Sequence, residues 1–253
     1  MRLSVLPAFE DNYIWVLRDA QRALLVDPGD AAPVFAAARE GLEPGAILLT
    51  HHHADHCAGV PALLERWPGL PVFAPDDPRI AVDCERVGEG AVLQVLGSDV
   101  QVLEVPGHTR SHLAYVVDGH LFCGDTLFSL GCGRMFEGTA AQMRHSLERL
   151  ASLPADLQVC CGHEYTQANA AFACAVEPGN ADLAARRAAV LRNRAAGLAT
   201  LPTTLESERA CNPFLRCDVP AVIQTVTRRL GRAPADPVET FAALRTWKDE
   251  FRA

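Results

Sequence analysis

The chain lacks three features that would each place it in a broad class of protein. No apolar run approaches the roughly 20 residues that a membrane-spanning helix needs, and the first residues hold no long apolar segment of the kind found in signal peptides. Basic residues are not in excess, since the 253 residues carry a formal net charge of −8, whereas nucleic-acid binding requires a basic face. We therefore predict no signal peptide, no membrane partner and no nucleic-acid partner.

The nine cysteines also lack the spacings of common thiol sites. None forms a Cys-x-x-Cys pair, and the adjacent Cys160 and Cys161 cannot supply a metal knuckle of the usual spacing. We predict reduced, mostly buried thiols in a cytoplasmic protein. Cys57 lies beside His56 and could be activated by a neighbouring cation, although a small buried thiol explains it as well. The sensitivity of Cys57 and Cys132 to oxidation is left open.

Apolar runs in the first two-thirds of the chain predict many short strands and a few helices. The predicted strands are 2–6, 13–18, 23–27, 46–50, 71–75, 91–96, 100–106, 113–117, 121–125 and 157–162. The predicted helices are 32–40, 58–67 and 140–153. The pair Asp118 and Gly119 between two strand-like runs is a strong hairpin signal. Consecutive strands with interspersed helices predict an α/β layered domain rather than regular βαβ alternation.

The composition changes near residue 166, beyond which alanine and arginine dominate and strand signals fade. Side chains that can cap helices follow; they are Asn180, Asp218 and Asp236, the last with Pro237 in the first turn and Glu239 as a capping-box acid. We therefore predict a catalytic domain over residues 1–167 and a helical C-terminal domain over residues 168–253.

The segment THHHADHC gathers four histidines and an aspartate directly after an apolar run. If the chain leaves a strand in extended form, His51 and His53 point to one side and His52 to the other. Asp55 and His56 follow as the chain turns toward a helix and form a second pair. Imidazole and carboxylate groups suit Zn, Fe or Mn. Two adjacent pairs predict two adjacent metal ions, with His52 either exposed or supporting the ligands.

Further ligand candidates stand after other predicted strands. His108 lies in VPGHTRSH, Asp125 in LFCGDT and His163 in VCCGHEYT. Strand ends of open α/β sheets gather at one edge, where ligand sites form. A single aspartate in such a place is usually a turn residue, but four segments of this kind together favour a metal site. The histidines for which we predict no role are His112, His120 and His145.

The motifs THHHADH, PGHT, GDTLF and CGHEYT resemble those of the metallo-β-lactamase superfamily. Five stretches resemble more narrowly the glyoxalase II family, the hydroxyacylglutathione hydrolases: LPAFEDNYIWVL, GCGRMFEGT, CGHEYT, NPFLR and LRTWKDEF. They run from one end of the chain to the other. The resemblance implies an α/β (α+β) fold, a four-layer αβ/βα sandwich with a helical C-terminal domain over the site.

The resemblance also implies the ligands of a two-metal site. Those that match the first metal are His51, His53 and His108. Those that match the second are Asp55, His56 and His163, and Asp125 matches the carboxylate that bridges both. It implies two divalent metal ions per chain, with Zn favoured and Fe or Mn as alternatives. We assign catalytic roles to Asp55 and Asp125 on the same basis.

Contacts to glutathione are implied in the same way, at Arg134, Phe136, His163, Tyr165, Arg245 and Lys248. Arg245 and Lys248 are three residues apart on a predicted helix and share a face, which suits the two carboxylates of glutathione. A solvated helix face is the alternative interpretation of this pair. Arg134 stands where some relatives carry lysine, a substitution that keeps the charge and changes the hydrogen-bond geometry.

The implied function is hydrolysis of S-D-lactoylglutathione, an S-2-hydroxyacylglutathione, to D-lactate and glutathione in methylglyoxal detoxification. The predicted partner is thus a small-molecule glutathione thioester, and we expect a monomer. A thiol with a pKa near ~8.5, as in cysteine, leaves without a general acid. The alternative is a glutathione persulfide dioxygenase of the same fold, which needs one metal ion and a shorter C-terminal region. A β-lactamase, a lactonase and a non-catalytic scaffold fit the motifs less well.

Overall fold

The computed structural model describes residues 1–252 and divides into two compact units. The first unit comprises residues 1–105, 111–124 and 160–163; the second comprises 106–110, 125–159 and the chain from 164 onward. Each unit is therefore built from three separate segments. The predicted domain boundary between residues 167 and 168 stays a prediction. Within the described residues, no helix is both long and apolar enough to cross a membrane.

A six-stranded mixed sheet forms the N-terminal part of the first unit. Its strands, in their order across the sheet, are β1 Arg2–Ala8, β2 Asn12–Arg18, β3 Ala23–Val26, β4 Pro44–Leu48, β5 Val72–Pro75 and β6 Glu85–Val87. The pairs among β1, β2 and β3 are antiparallel, whereas the pairs from β3 to β6 are parallel. Strands β2 to β4 are buried almost along their whole length, as expected for apolar strands covered on both faces.

Helices connect the parallel strands of this sheet. They are α1 Ala31–Arg39, α2 Ala54–Cys57 and α3 Val60–Arg66. The Asp30 side chain begins α1 by accepting a hydrogen bond from the Ala32 amide at 2.9 Å. Val34 of α1 and Leu63 of α3 join Ile47 of β4 in one buried apolar cluster.

An antiparallel meander completes the first unit. Its strands are β7 Val92–Val95, β8 Ser98–Glu104, β9 Leu113–Val117 and β10 His120–Gly124. Gly162, which directly follows β13 (Gln158–Cys161), donates a backbone hydrogen bond to the Gly124 carbonyl at the end of β10, at 2.9 Å. The predicted hairpin turn is confirmed, because Asp118 and Gly119 have φ values of 48° and 77°, as a two-residue turn of this kind requires.

The second unit is mostly helical. Its helices are α4 Ala140–Ala151, α5 Thr166–Val176, α6 Ala181–Ala195, α7 Leu205–Cys211, α8 Pro220–Leu230 and α9 Pro237–Glu250, with a 3-10 turn at Pro213–Leu215. Its short strands are β11 Leu127–Phe128, β12 Gly131–Cys132 and β14 Thr203–Thr204. The first two residues of β13 pair with β14. In its core, Phe214 stacks on Phe172 and meets Phe241 edge to face.

Two of the three predicted helix starts in this unit are confirmed. The side chains of Asn180 and Asp236 each accept a hydrogen bond from a first-turn amide, of α6 and α9 respectively. The prediction for Asp218 was wrong. Helix α8 has Val219 as its N-cap residue, without a side-chain hydrogen bond, and Pro220 fixes the backbone of its first turn.

Glu239 does not complete the predicted capping box. Its carboxylate accepts a hydrogen bond from the Ala235 amide and pairs with the Arg232 guanidinium, outside α9. The acid therefore stabilises the segment before the helix instead of the Asp236 amide.

Candidate metal centre and adjoining pocket

The predicted ligands of the first unit flank strand ends and one short helix. His51 follows β4, His53 is the N-cap residue of α2, and Asp55 and His56 lie within α2. His163 follows β13. The polar side chains thus follow β4 and β13 closely, a short way beyond the last residue of each strand.

Asp55, His56 and His163 come together in the first unit, with one ligand atom of each within 4.8 Å of the others. Asp55 Oδ2 lies 3.4 Å from His56 Nε2 and 3.4 Å from His163 Nε2. The Asn12 side chain donates a hydrogen bond to the same oxygen at 2.9 Å. Burial raises the pKa of Asp55, but the bonds with His163, His56 and Asn12 outweigh it and hold the pKa far below its usual range. The carboxylate is therefore ionised.

The opposite nitrogen of each of these histidines faces a carboxylate. His56 Nδ1 lies 3.0 Å from Asp27 Oδ2, and His163 Nδ1 lies 2.8 Å from Asp11 Oδ1. Because an ionised carboxylate only accepts, each Nδ1 carries the proton and each Nε2 keeps the lone pair that a metal requires. Carboxylate support of this kind orients histidine ligands and raises their basicity.

His51 and His53 form a second close pair. His51 Nε2 lies 3.0 Å from His53 Nδ1, and the other nitrogen of His51 lies 3.0 Å from the Thr50 hydroxyl. His51 is fully buried. Its ligand atoms also group with those of Asp27 and His56 within 4.8 Å.

The donor chemistry of these clusters fits a divalent metal ion. Each cluster consists of imidazole nitrogens or of imidazole nitrogens with an ionised carboxylate, the donors that Zn, Fe and Mn accept. Buried groups of this kind would be costly to place together for packing alone. The His/Asp clusters constitute a metal site.

His108 and Asp125 meet in the second unit. They follow β8 and β10, respectively, as predicted. His108 Nε2 lies 3.5 Å from Asp125 Oδ2, and His108 Nδ1 donates a hydrogen bond to the carbonyl oxygen of Arg134 at 2.8 Å. This bond assigns the proton to Nδ1 and leaves Nε2 directed toward Asp125.

A cavity of about 470 Å³ opens in the second unit beside this pair, a volume typical of small-molecule sites. It is lined by His108 and Asp125 and by all five substrate contacts predicted from that unit: Arg134, Phe136, Tyr165, Arg245 and Lys248. The two aromatic side chains of the lining are accessible, since Phe136 is 64% exposed and Tyr165 is 38% exposed.

Three cations, Arg134, Arg245 and Lys248, line this cavity although the chain as a whole is acidic. Asp249 lies 3.0 Å from the Arg245 guanidinium and 3.4 Å from that of Arg134. Arg245 is only 5% exposed and donates a hydrogen bond to the Cys132 carbonyl at 2.9 Å, so the solvated-face interpretation is wrong for it. Burial and the neighbouring Arg245 lower the pKa of Lys248 to about 8.

The thiols near the site are not activated. All nine cysteines are free, in agreement with the predicted reduced state. Burial and the Asp27 carboxylate raise the pKa of Cys57, whose sulfur donates a hydrogen bond to the His52 carbonyl. Burial raises the pKa of Cys132 to about 11. Neither thiol has appreciable thiolate character at neutral pH.

The structure narrows one prediction and adds two residues near the site. Of the two alternatives for His52, exposure is excluded; its side chain is 12% accessible and Nδ1 lies 3.5 Å from Asp77 Oδ2. His112, for which no role was predicted, is buried and stacks on His51 with ring centroids 4.6 Å apart. Asp27 was missed, although its place directly after β3 resembles that of the predicted ligands.

Comparison with known proteins agrees with this arrangement. The family model described as "Metallo-beta-lactamase superfamily" matches residues 8–163, and the model described as "Hydroxyacylglutathione hydrolase C-terminus" matches residues 164–251. A hydroxyacylglutathione hydrolase of Xanthomonas axonopodis pv. citri is 58% identical over 255 residues, covering 100% of both chains. The chain belongs to the hydroxyacylglutathione hydrolase family. The C-terminal match favours this family over the dioxygenase alternative.

Solved structures confirm the fold class of this hydroxyacylglutathione hydrolase family member. ETHE1 from Myxococcus xanthus superposes with a TM-score of 0.66 at 25% identity and covers 98% of both chains. TTHA1623, solved in a di-iron-bound form, gives a TM-score of 0.54 at 30% identity, covering 64% of this chain and 92% of its own. The metallo-β-lactamase fold with a helical C-terminal region is thus the fold predicted from the motifs.

Proposed function

We propose that the chain hydrolyses the thioester of S-D-lactoylglutathione to D-lactate and glutathione, a step of methylglyoxal detoxification. The observation that carries the proposal is the cavity in which Arg134, Arg245 and Lys248 share the lining with His108 and Asp125. Glutathione carries two carboxylates, and fixed cations are the groups that recognise them. The names of the relatives point to the same substrate class.

The proposed metal site holds two divalent ions per chain, with Zn favoured over Fe or Mn. The proposed ligands are His51, His53 and His108 for one ion, Asp55, His56 and His163 for the other, and Asp125 for both. When bound, such ions polarise a carbonyl oxygen and lower the pKa of a water molecule toward neutrality. The di-iron form of TTHA1623 supports the number of ions but not their identity in this chain.

The protein side chains orient the reactants. Asp55, ionised and fixed by Asn12, would orient the attacking water, and Asp125 would act through the ions that it helps to hold. Arg245 and Lys248 bind the carboxylates of glutathione, with Arg134 beside them. The leaving group departs as a thiolate and needs no proton from the protein.

The aromatic contacts and His163 complete the proposal. Phe136 and the Tyr165 ring cover the apolar part of glutathione, and the Tyr165 ring packs edge-on against Phe128 with centroids 5.1 Å apart. The predicted contact between His163 and substrate stays a prediction. The monomeric state and the cytoplasmic location also stay predictions.

The first test is hydrolysis of S-D-lactoylglutathione, followed by loss of thioester absorbance, with metal content measured on the same sample before and after chelation. We expect rapid hydrolysis that chelation removes and close to two metal ions per chain. Absence of hydrolysis by a fully metallated protein would contradict the proposed substrate. Oxygen uptake with glutathione persulfide would then test the alternative reaction.

The role of the cations is tested by Arg245→Ala. A charged hydrogen bond is worth about 1.5–3 kcal/mol, so KM should rise about 10- to 150-fold with a smaller change in kcat. The matched control is Arg187→Ala, because Arg187 is exposed on α6. An unchanged KM in Arg245→Ala would remove Arg245 from the substrate site.

A further inference from the structure

We propose that Glu208 and Asn212 are positioning residues, which together fix the β11–β12 hairpin and thereby place Asp125 and Arg134. We call the Glu208 and Asn212 side chains the hairpin clamp. Both belong to the second unit: Glu208 lies within α7 and Asn212 directly follows it. Asn212 begins the NPFLR stretch of the sequence, but no role was assigned there to either residue. The inference rests on the proposed function only for the roles of Asp125 and Arg134.

The hairpin itself is too short to hold its shape. Only two residue pairs form it, Leu127 with Cys132 and Phe128 with Gly131. Leu130, in its turn, is fully buried and has a φ of 59°, a left-handed conformation that a bulky side chain rarely adopts. Such a backbone persists only where the surroundings enforce it.

Glu208 holds the turn in this conformation through two hydrogen bonds. Its Oε2 accepts a hydrogen bond from the Leu130 amide at 2.7 Å, and its Oε1 accepts one from the Ser129 hydroxyl at 2.8 Å. Glu208 is completely buried. One carboxyl group thus binds both residues of the turn, including the amide of the left-handed residue.

Asn212 binds the strands of the hairpin. Its side-chain amide donates to the Phe128 carbonyl at 3.1 Å, to the Gly131 carbonyl at 2.9 Å and to Glu208 Oε2 at 3.1 Å. Its own oxygen accepts a hydrogen bond from the Phe214 amide at 3.1 Å. The amide is therefore locked at both ends and contacts one residue of each strand.

The hairpin carries functional groups at both of its ends. Asp125 precedes β11 by two residues and Arg134 follows β12 by two. The Arg134 carbonyl accepts the hydrogen bond of His108 Nδ1 at 2.8 Å. A shift of the hairpin would therefore move a proposed bridging carboxylate, a substrate cation and the orientation of a histidine ligand together.

A purely structural role does not explain this choice of residues. A buried carboxyl and a buried amide are costly compared with apolar side chains of similar volume, unless their directional bonds are needed. Burial raises the pKa of Glu208 even though the Leu130 amide, Ser129 and Asn212 bind it. The directional bonds fix where the turn lies, which apolar packing would not.

The test compares Glu208→Met and Asn212→Leu with the conservative Glu208→Gln. The measurements are the chelator concentration that removes half of the bound metal, KM and kcat for the thioester, and Tm. We expect metal to be lost at a chelator concentration about 10- to 100-fold lower in the first two variants, together with a raised KM. Glu208→Gln keeps one acceptor oxygen, so its chelator midpoint and its KM should lie between those of Glu208→Met and those of the unmodified protein.

Two controls separate positioning from stability. Glu206→Gln changes an exposed acid on the same helix and should match the unmodified protein. Val226→Ala removes buried volume from α8 and should lower Tm without moving the chelator midpoint. If Glu208→Met does not fold, Ser129→Ala, which removes one clamp bond, should shift the midpoint in the same direction by a smaller factor.

The clamp is overturned if its variants lower Tm as Val226→Ala does but keep the chelator midpoint and KM of the unmodified protein. This outcome differs from failure of the proposed function. The chelator midpoint needs no substrate, so it still judges the clamp when a metallated protein hydrolyses no thioester.

Discussion

Replacement of Asp27 by asparagine changes one oxygen into an NH₂ group within the support of the metal ligands. Asp27 accepts hydrogen bonds from the Thr50 amide at 2.7 Å, from the Thr50 hydroxyl at 2.7 Å and from His56 Nδ1 at 3.0 Å. If the asparagine oxygen stays on the Thr50 amide, the new NH₂ group faces His56. Two donors cannot bond, so the His56 proton must move to Nε2, the nitrogen that faces Asp55.

The expected effect is larger on metal binding than on folding. The lost bond is charge-assisted and worth about 1.5–3 kcal/mol, and removal of such support typically lowers metal affinity about 10- to 100-fold. The Thr50 hydroxyl can rotate to accept from the new NH₂ group, which recovers part of the stability. Asparagine also tolerates the φ of 54° at this position, so no backbone strain is added.

The assay is release of metal against increasing chelator, with Tm measured on the metal-free protein. Asp30→Asn is the matched control, because Asp30 caps α1 and asparagine caps helices equally well. We expect Asp30→Asn to behave as the unmodified protein. Equal metal retention by Asp27→Asn would refute the assignment of the His56 proton to Nδ1.

Three further outcomes are expected. The pKa of about 8 at Lys248 means that its charge is present below pH 8 and lost above it, so KM for the anionic substrate should rise as the pH passes 8 and stay flat in Lys248→Arg. Gly133→Ala places a Cβ 1.9 Å from the Asp125 carbonyl oxygen and should lower both metal content and Tm by overpacking worth about 1–3 kcal/mol, whereas Gly179→Ala, with open space, should change neither. Alkylation at neutral pH, read by peptide mass spectrometry, should leave Cys132 unmodified until the protein is unfolded, since its thiol pKa is about 11.

The parts of the fold that were predicted from the sequence are those marked by several consecutive residues of one type, such as an apolar run or a turn dipeptide. The apolar run at 113–117 matches β9 residue for residue, and the Asp118 and Gly119 turn follows it. The histidine-rich segment predicted a metal site for a similar reason. Several polar rings directly after an apolar strand are not explained by packing. Local chemistry thus determined both the strands and the residues at their ends.

The parts that were not predicted depend on contacts between distant residues. Strands β11 and β12 have two residues each and no periodicity, and their hydrogen-bond partner Asn212, just after α7, lies 81 to 84 residues away in the chain. Asp27 lies 29 residues before His56, and nothing local to it indicates which side chain it supports. Asp218 shows the opposite error, a good local cap signal that a proline two residues later made unnecessary.

The interleaved segments of the first unit have a consequence for the growing chain on the ribosome. Residues 160–163 complete this unit, where the Gly162 amide bonds to the Gly124 carbonyl and the Gly162 carbonyl accepts from the Tyr13 amide. At about 5–20 residues per second, synthesis from residue 125 to residue 163 takes roughly 2 to 8 s. During this interval the β10 edge has no neighbouring strand, and an uncovered edge is a template for pairing with another chain. A nascent chain halted in this interval is therefore expected to aggregate more readily than the completed first unit.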